Sequence, residues 1–287
     1  DPEAIHLARL NLRRHLAAEL RSDFESTWQA LAPNEAYAPD GAQVGRRALR
    51  NACLAYLADG DAAAVLPRLL AQLHDGGNMT DVIAALGILA NQDLPERQTA
   101  LDAFHAKWKD EALVVDKWLS VQSTSRLPGT GARVRALMQH PAFDLKNPNK
   151  VYALVRAFCG ANPRHFHAQD GSGYQFAADV IIELQAMNPQ VASRIARSFD
   201  RWRQFDAQRQ SHAKYLFAHL LSIFFSALSN KVKIDSRHIP VWMSDLGFHG
   251  KRGLLVGQGD QLRESFSILV IDNPGVGVPG VLWDALR

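Results

Sequence analysis

Apolar residues along the first 210 positions recur with the 3.6-residue period of an amphipathic helix. Val151, Leu154, Val155 and Phe158 stand at i, i+3, i+4 and i+7. The same spacing links Leu101, Phe104 and Trp108, and again Ala177, Val180, Ile181 and Leu184. Short breakers separate these stretches: Asp75-Gly76-Gly77-Asn78, Pro128-Gly129 and Asp170-Gly171-Ser172-Gly173. The pairs Asn147-Pro148, Asn162-Pro163 and Asn188-Pro189 predict helix starts near 148, 163 and 189. Asn caps the first turn, and Pro lacks the N–H that would be unpaired there. No stretch of this region alternates with period two, so no sheet is predicted. Short helices on short turns, without a long heptad seam, predict an all-α architecture of stacked antiparallel helix pairs. No fixed sequence period demonstrates a regular array, so an irregular helical bundle is the alternative.

The pattern changes after about residue 210. Tyr215–Leu228 is an apolar run of 14 residues containing His219, shorter than the ~20 residues a membrane span needs. A buried or amphipathic helix over 214–230 is expected there, flanked by Lys214, Lys231 and Lys233. Eight of the 19 glycines follow residue 240, which marks this end as irregular. Ser267–Ile271 looks like a strand, and Ile234–Trp242 is mixed and interrupted by Pro240. The expected division is a helical domain over 1–210 and an uncertain tail over 211–287. The tail is either an appended segment or the product of a changed reading frame or fusion. Loss of the helical pattern favours the latter.

Apolar residues make up 47% of the chain, enough to bury a core. A net charge of +3 is too small to argue a nucleic-acid partner. Two cysteines exclude a disulfide framework and a cysteine-rich zinc module. Cys53 and Cys159 both read as packing residues. Residues 1–20 form a charged helical stretch and not a signal peptide. The chain starts at Asp1 rather than Met, from which we expect it to open inside a longer polypeptide.

Candidate chemistry is sparse. Gly275, Gly277 and Gly280 match G-x-G-x-x-G, but Pro279 breaks the turn and too few residues follow for a crossover helix and a second strand. His165-Phe166-His167 offers two imidazoles without a third ligand at suitable spacing, and reads as a polar loop. H-E-x-x-H and G-x-S-x-G are absent. Arg46, Arg47 and Arg50, and the series Arg194, Arg197, Arg201 and Arg203, read as solvated helix faces.

Seven blocks nevertheless occur in a familiar order. They are Leu49-Arg50-Asn51-Ala52-Cys53-Leu54, Asn78-Met79-Thr80-Asp81, Asp116-Lys117-Trp118, Asn147-Pro148-Asn149-Lys150, Phe166-His167-Ala168, Asp170-Gly171-Ser172-Gly173-Tyr174 and Asn188-Pro189-Gln190-Val191-Ala192-Ser193-Arg194. Together they resemble the C-terminal helical domain of the bacterial aminopeptidase N family, zinc metallopeptidases of the gluzincin type. The resemblance covers residues 1 to about 210.

It implies an ARM- or HEAT-like helical bowl that closes over a catalytic domain, restricting access to short peptides. Zinc, its ligands and the catalytic glutamate belong to the parent enzyme, where zinc-bound water attacks the scissile carbonyl. No cofactor and no catalytic residue are expected in this chain. The expected partners are the catalytic domain of the same polypeptide and short peptide substrates. No nucleic acid and no membrane contact by the tail are expected, and the implied location is cytoplasmic. The resemblance also implies substrate-contact roles for Gln190 and Arg194. With Asn188 as cap, these two share a helix face at i and i+4, an arrangement equally open to ordinary exposed residues. Tyr152 stands where some relatives have arginine, which withdraws a cationic contact from that helix. The rival reading is a stand-alone helical-repeat interaction module.

Overall fold

The computed structural model describes residues 1–229, which divide into two compact units, 1–142 and 143 onward. Among the described residues there is no strand, and helices follow one another on short turns. The architecture is all-α, as the periodicity predicts.

The first unit contains α1 (Pro2–Glu19), α2 (Arg21–Ala30), α3 (Gly41–Gly60), α4 (Ala62–Asp75), α5 (Met79–Leu89), α6 (Glu96–Trp108), α7 (Ala112–Ser123) and α8 (Thr130–Leu137). Side-chain caps start several of them. Asp40 accepts from the Gln43 amide at 2.9 Å, Asp61 from Ala64 at 3.1 Å and Asn78 from Asp81 at 3.0 Å. α1, α2, α4 and α5 all pack on α3. Its inner face buries Cys53, Leu54, Leu57 and Ala58, and Leu69, Leu86, Leu101 and Leu119 come from the helices that follow. Asp59, with a buried side chain, receives Arg13 and Arg126, the latter at 3.3 Å.

The second unit starts with α9 (Pro148–Val151), which widens into a π turn at Tyr152–Arg156 and tightens again into α10 (Ala157–Ala161). There follow α11 (Pro163–Phe166), α12 (Ser172–Met187) and α13 (Pro189–Ala196), two single 3-10 turns, and α14 (Ala207–Ser229). The three Asn-Pro pairs start α9, α11 and α13. The apolar face read from Val151, Leu154, Val155 and Phe158 is buried as predicted. The continuous α-helix implied by that spacing is not formed, because the π turn interrupts it.

Asp170 and Gly171 turn the chain into α12, which starts at Ser172, and the structure explains both glycines. Gly171 has φ +75°, which L side chains rarely adopt. Gly173 lies so close to α11 that a Cβ would meet the Phe166 and His165 carbonyl oxygens at 2.3 and 2.6 Å. α12 packs on α11, α13 and α14 around an aromatic core of Phe158, Phe166, Tyr174, Phe176, Phe199 and Phe217.

α14 runs through residue 210, and Leu216, Phe217 and Leu220 on it are buried. No helix among the described residues is long and apolar enough to cross a membrane. Lys231, Lys233, the Ile234–Trp242 stretch, the Ser267–Ile271 strand and the Gly275–Gly280 pattern lie outside the described residues.

Candidate functional site

The site builds up from the cap of α13. The Asn188 side chain accepts from the Val191 amide at 3.1 Å, fixing the helix start at Pro189. Val191, Ala192, Ile195 and Ala196 are buried, and α13 packs on α12. That stripe leaves Gln190 and Arg194 exposed on the other side, one helical turn apart. Both sit where the sequence spacing puts them.

Arg194 is not a free surface cation. Its Nη1 donates to the Tyr152 hydroxyl at 2.6 Å, and its guanidinium carbon lies 5.8 Å from the centre of the Tyr152 ring. Arg156 stands over the same ring, also at 5.8 Å. Both arginines are within cation–π range of one phenol, an interaction worth about 0.5–1 kcal/mol at exposed sites. Tyr152 and Arg156 are the first and last residues of the π turn. Such turns are rare and recur at functional sites.

The tyrosine in place of an arginine therefore does not remove positive charge from this helix, as the sequence led us to expect. Arg156 supplies it four residues later. Sequence reasoning missed Arg156, which stands at i+4 from Tyr152 and so on the same face of the helix. The group offers two guanidinium forks, a phenol and an amide. These suit peptide carbonyl and carboxylate oxygens; they do not form a nucleophile and base.

Two further expectations are corrected. His165-Phe166-His167 is not a polar loop. Phe166 is fully buried, with its ring 5.3 Å from that of Tyr174 and 5.5 Å from that of Phe199. His167 Nδ1 shares a hydrogen bond of 2.9 Å with the Tyr174 hydroxyl. Burial, helped by the Arg209 charge, lowers the His167 pKa to about 4. Phe166 is core, and His167 is half-buried beside it.

Nor do Arg46, Arg47 and Arg50 form a solvated face. All three are half-buried and line a cavity in the first unit. By contrast, Arg194, Arg197, Arg201 and Arg203 are exposed. Both cysteines are buried free thiols, and burial pushes the Cys159 thiol far up. Among the described residues, no group of three His, Cys, Asp or Glu side chains is placed to hold a metal ion.

Comparison with known proteins agrees with this architecture. A family described as a domain of unknown function (DUF3458_C) with ARM repeats matches residues 1–232. The chain is similar to aminopeptidase N of Escherichia coli (strain K12), at 40% identity over 210 residues, covering 73% of this chain and 24% of that protein. Aminopeptidase N of Caulobacter vibrioides is 40% identical over 205 residues, covering 71% and 24%. A crystal structure of Legionella pneumophila aminopeptidase A in complex with aspartic acid matches with a TM-score of 0.72 and 33% identity, over 77% of this chain and 27% of that one. The chain thus spans about a quarter of the length of the relatives it matches. It belongs to the DUF3458_C family of ARM-repeat domains and corresponds to the C-terminal helical part of aminopeptidase N.

Proposed function

We propose that this chain is the domain that closes over the catalytic part of a cytoplasmic, zinc-dependent aminopeptidase and controls the access of short peptides to it. In this reading the zinc and the residues that hold it lie in the parent polypeptide outside this chain. Residues 1–210 form the closing domain. Gln190 and Arg194 face the enclosed space and contact substrate, and Arg156 contributes a second cation.

The observation that carries the reading is the Arg194–Tyr152 hydrogen bond. It holds a guanidinium that is exposed yet fixed, next to a second guanidinium, on a face that no helix among the described residues of its own unit covers. Preorganised donors of this kind bind carbonyl and carboxylate oxygens at low entropic cost. Enclosure would strengthen them by excluding water.

The test is a chimaera in which residues 1–210 replace the matching part of Escherichia coli aminopeptidase N. We expect it to hydrolyse tripeptides and aminoacyl-arylamides. Arg194→Gln should raise KM for tripeptides about tenfold, the cost of one charged hydrogen bond. Arylamides, which carry no carboxylate, should change little. Equal KM values for parent and variant on tripeptides would remove Arg194 from the site. Turnover of arylamides by the isolated 287-residue chain with added zinc would overturn the closing-domain reading itself.

A further inference from the structure

The first unit holds a cavity of about 530 Å³, walled by α2, α3, α4 and the start of α5. That volume falls within the ~300–1,000 Å³ of small-molecule sites. Its donors are unevenly satisfied. Arg47 is engaged by the Gln43 side chain at 3.0 Å and the Ala38 carbonyl at 3.1 Å. Arg68 is paired with Glu25 at 2.6 Å.

Arg50 is held but not neutralised. It lies 4.4 Å from the Trp28 ring centre and donates from Nη1 to Gln72 at 3.3 Å. Its Nε, like the Trp28 Nε1, is buried without an acceptor. Burial lowers the Arg50 pKa, an effect that the Asp81 charge only partly offsets. Asp81 itself already accepts from Asn51 and Asn78, each at 2.8 Å. Arg46, one turn before Arg50 on the same helix face, has no hydrogen-bond or ion-pair partner among the described residues.

Two adjacent guanidiniums, neither hydrogen-bonded to a carboxylate, repel each other, and the buried Nε of Arg50 is left without its acceptor. The same cavity is lined by Glu35 and Asp75, exposed and likewise without a partner among the described residues. The wall thus carries unmatched charge of both signs that does not neutralise itself. Of the two cations, Arg50 is the fixed one. Gln72, which holds Arg50, also donates to the Asn51 side chain at 2.8 Å and the Asp81 carbonyl at 2.9 Å.

We propose that this cavity binds a small zwitterion, a free amino acid or short peptide, whose carboxylate sits on Arg46 and Arg50 and whose ammonium group is drawn to Glu35 and Asp75. The site lies on other helices than Gln190 and Arg194 and does not depend on the function proposed above.

The test is calorimetric titration of the full chain with tetra-alanine, its C-terminal amide, its N-acetyl form and free alanine. One molecule of tetra-alanine or alanine should bind per chain, and the tighter of the two identifies the source of the ligand. Amidation should weaken tetra-alanine about tenfold, and N-acetylation less, because the acidic residues are solvated. Arg46→Gln should also weaken binding about tenfold. Its melting temperature should stay unchanged, since Arg46 has no partner to lose. Arg50→Gln should weaken binding at least as much. Arg194→Gln should leave it unaltered. Absence of binding at millimolar ligand, equal affinity for acid and amide, or a loss on Arg194→Gln that matches Arg46→Gln would each overturn the proposal.

Discussion

Gly173→Ala tests the close approach of α12 to α11. The added methyl would lie 2.3 Å from the Phe166 carbonyl oxygen, 2.6 Å from that of His165 and 2.7 Å from the Phe166 carbonyl carbon. Cβ contacts under 3.0 Å essentially never occur. All three colliding atoms are backbone, so no side chain can swing aside. The helices must part by at least about 0.7 Å, which also moves Phe166 in the aromatic core. Overpacking costs about 1–3 kcal/mol where side chains can adjust. Here the upper end, about 3 kcal/mol, is expected, a fall in Tm of about 6–12 °C for a chain of this size. Thermal and urea melts followed by circular dichroism would measure it. Gly160→Ala is the control. It is exposed, lies in α10, and a Cβ there meets nothing within 4 Å. It should stabilise by about 0.5 kcal/mol through helix propensity and a less flexible unfolded chain. Equal melting of Gly173→Ala and the parent chain would show that the two helices are not in contact there.

His167 makes folding pH-dependent. Its folded pKa is about 4 against 6.5 when free, so the unfolded chain takes up the proton first as pH falls. Stability should be full above about 6.5 and decline by about 3 kcal/mol between 6.5 and 4. Denaturant titrations of parent and His167→Gln across that range should differ by this amount. Leu154→Ala, at a fully buried position, should cost about 2–5 kcal/mol in urea melts. Asp59→Ala leaves Arg13 and Arg126 without their carboxylate. Because water reaches both arginines, we expect a loss of about 2 kcal/mol, falling further when Arg126 is already Gln.

Local chemistry was the part most legible in the sequence. All three Asn-Pro pairs start a helix, with Asn147 and Asn188 capping through their side chains and Asn162 without a side-chain cap bond. The apolar face around Leu154 was equally readable, since burial depends on spacing alone. The π turn within it was not. Widening by one residue leaves the apolar positions buried, so the pattern carries no trace of it. Gln190 and Arg194 shared a face because they sit on one short helix. The partner of Arg194, Tyr152, lies some forty residues away in sequence, beyond any local rule. The arginines of α3 were misread for the same reason: Trp28 and Gln72, which cover Arg50, come from α2 and α4. The half-buried place of His167 is not legible either, because a polar residue type by itself does not show which partner it will meet. Its bond to the Tyr174 hydroxyl satisfies the ring nitrogen that burial takes from water.

The π turn at Tyr152–Arg156 can also be described as an α-helix carrying one surplus residue. At this point chain length, and not only residue identity, becomes a variable. Losing one residue would return the segment to an ordinary helix. It would swing Tyr152 by about 100° relative to the core face at Phe158 and part it from Arg194. Gaining the residue does the reverse. A single-codon deletion here would thus reset which side chain stands next to Arg194, and would turn the buried Val151 away from the face of Phe158 with it. Among related domains, the shape of this wall can diverge by gaps in the chain as readily as by substitutions.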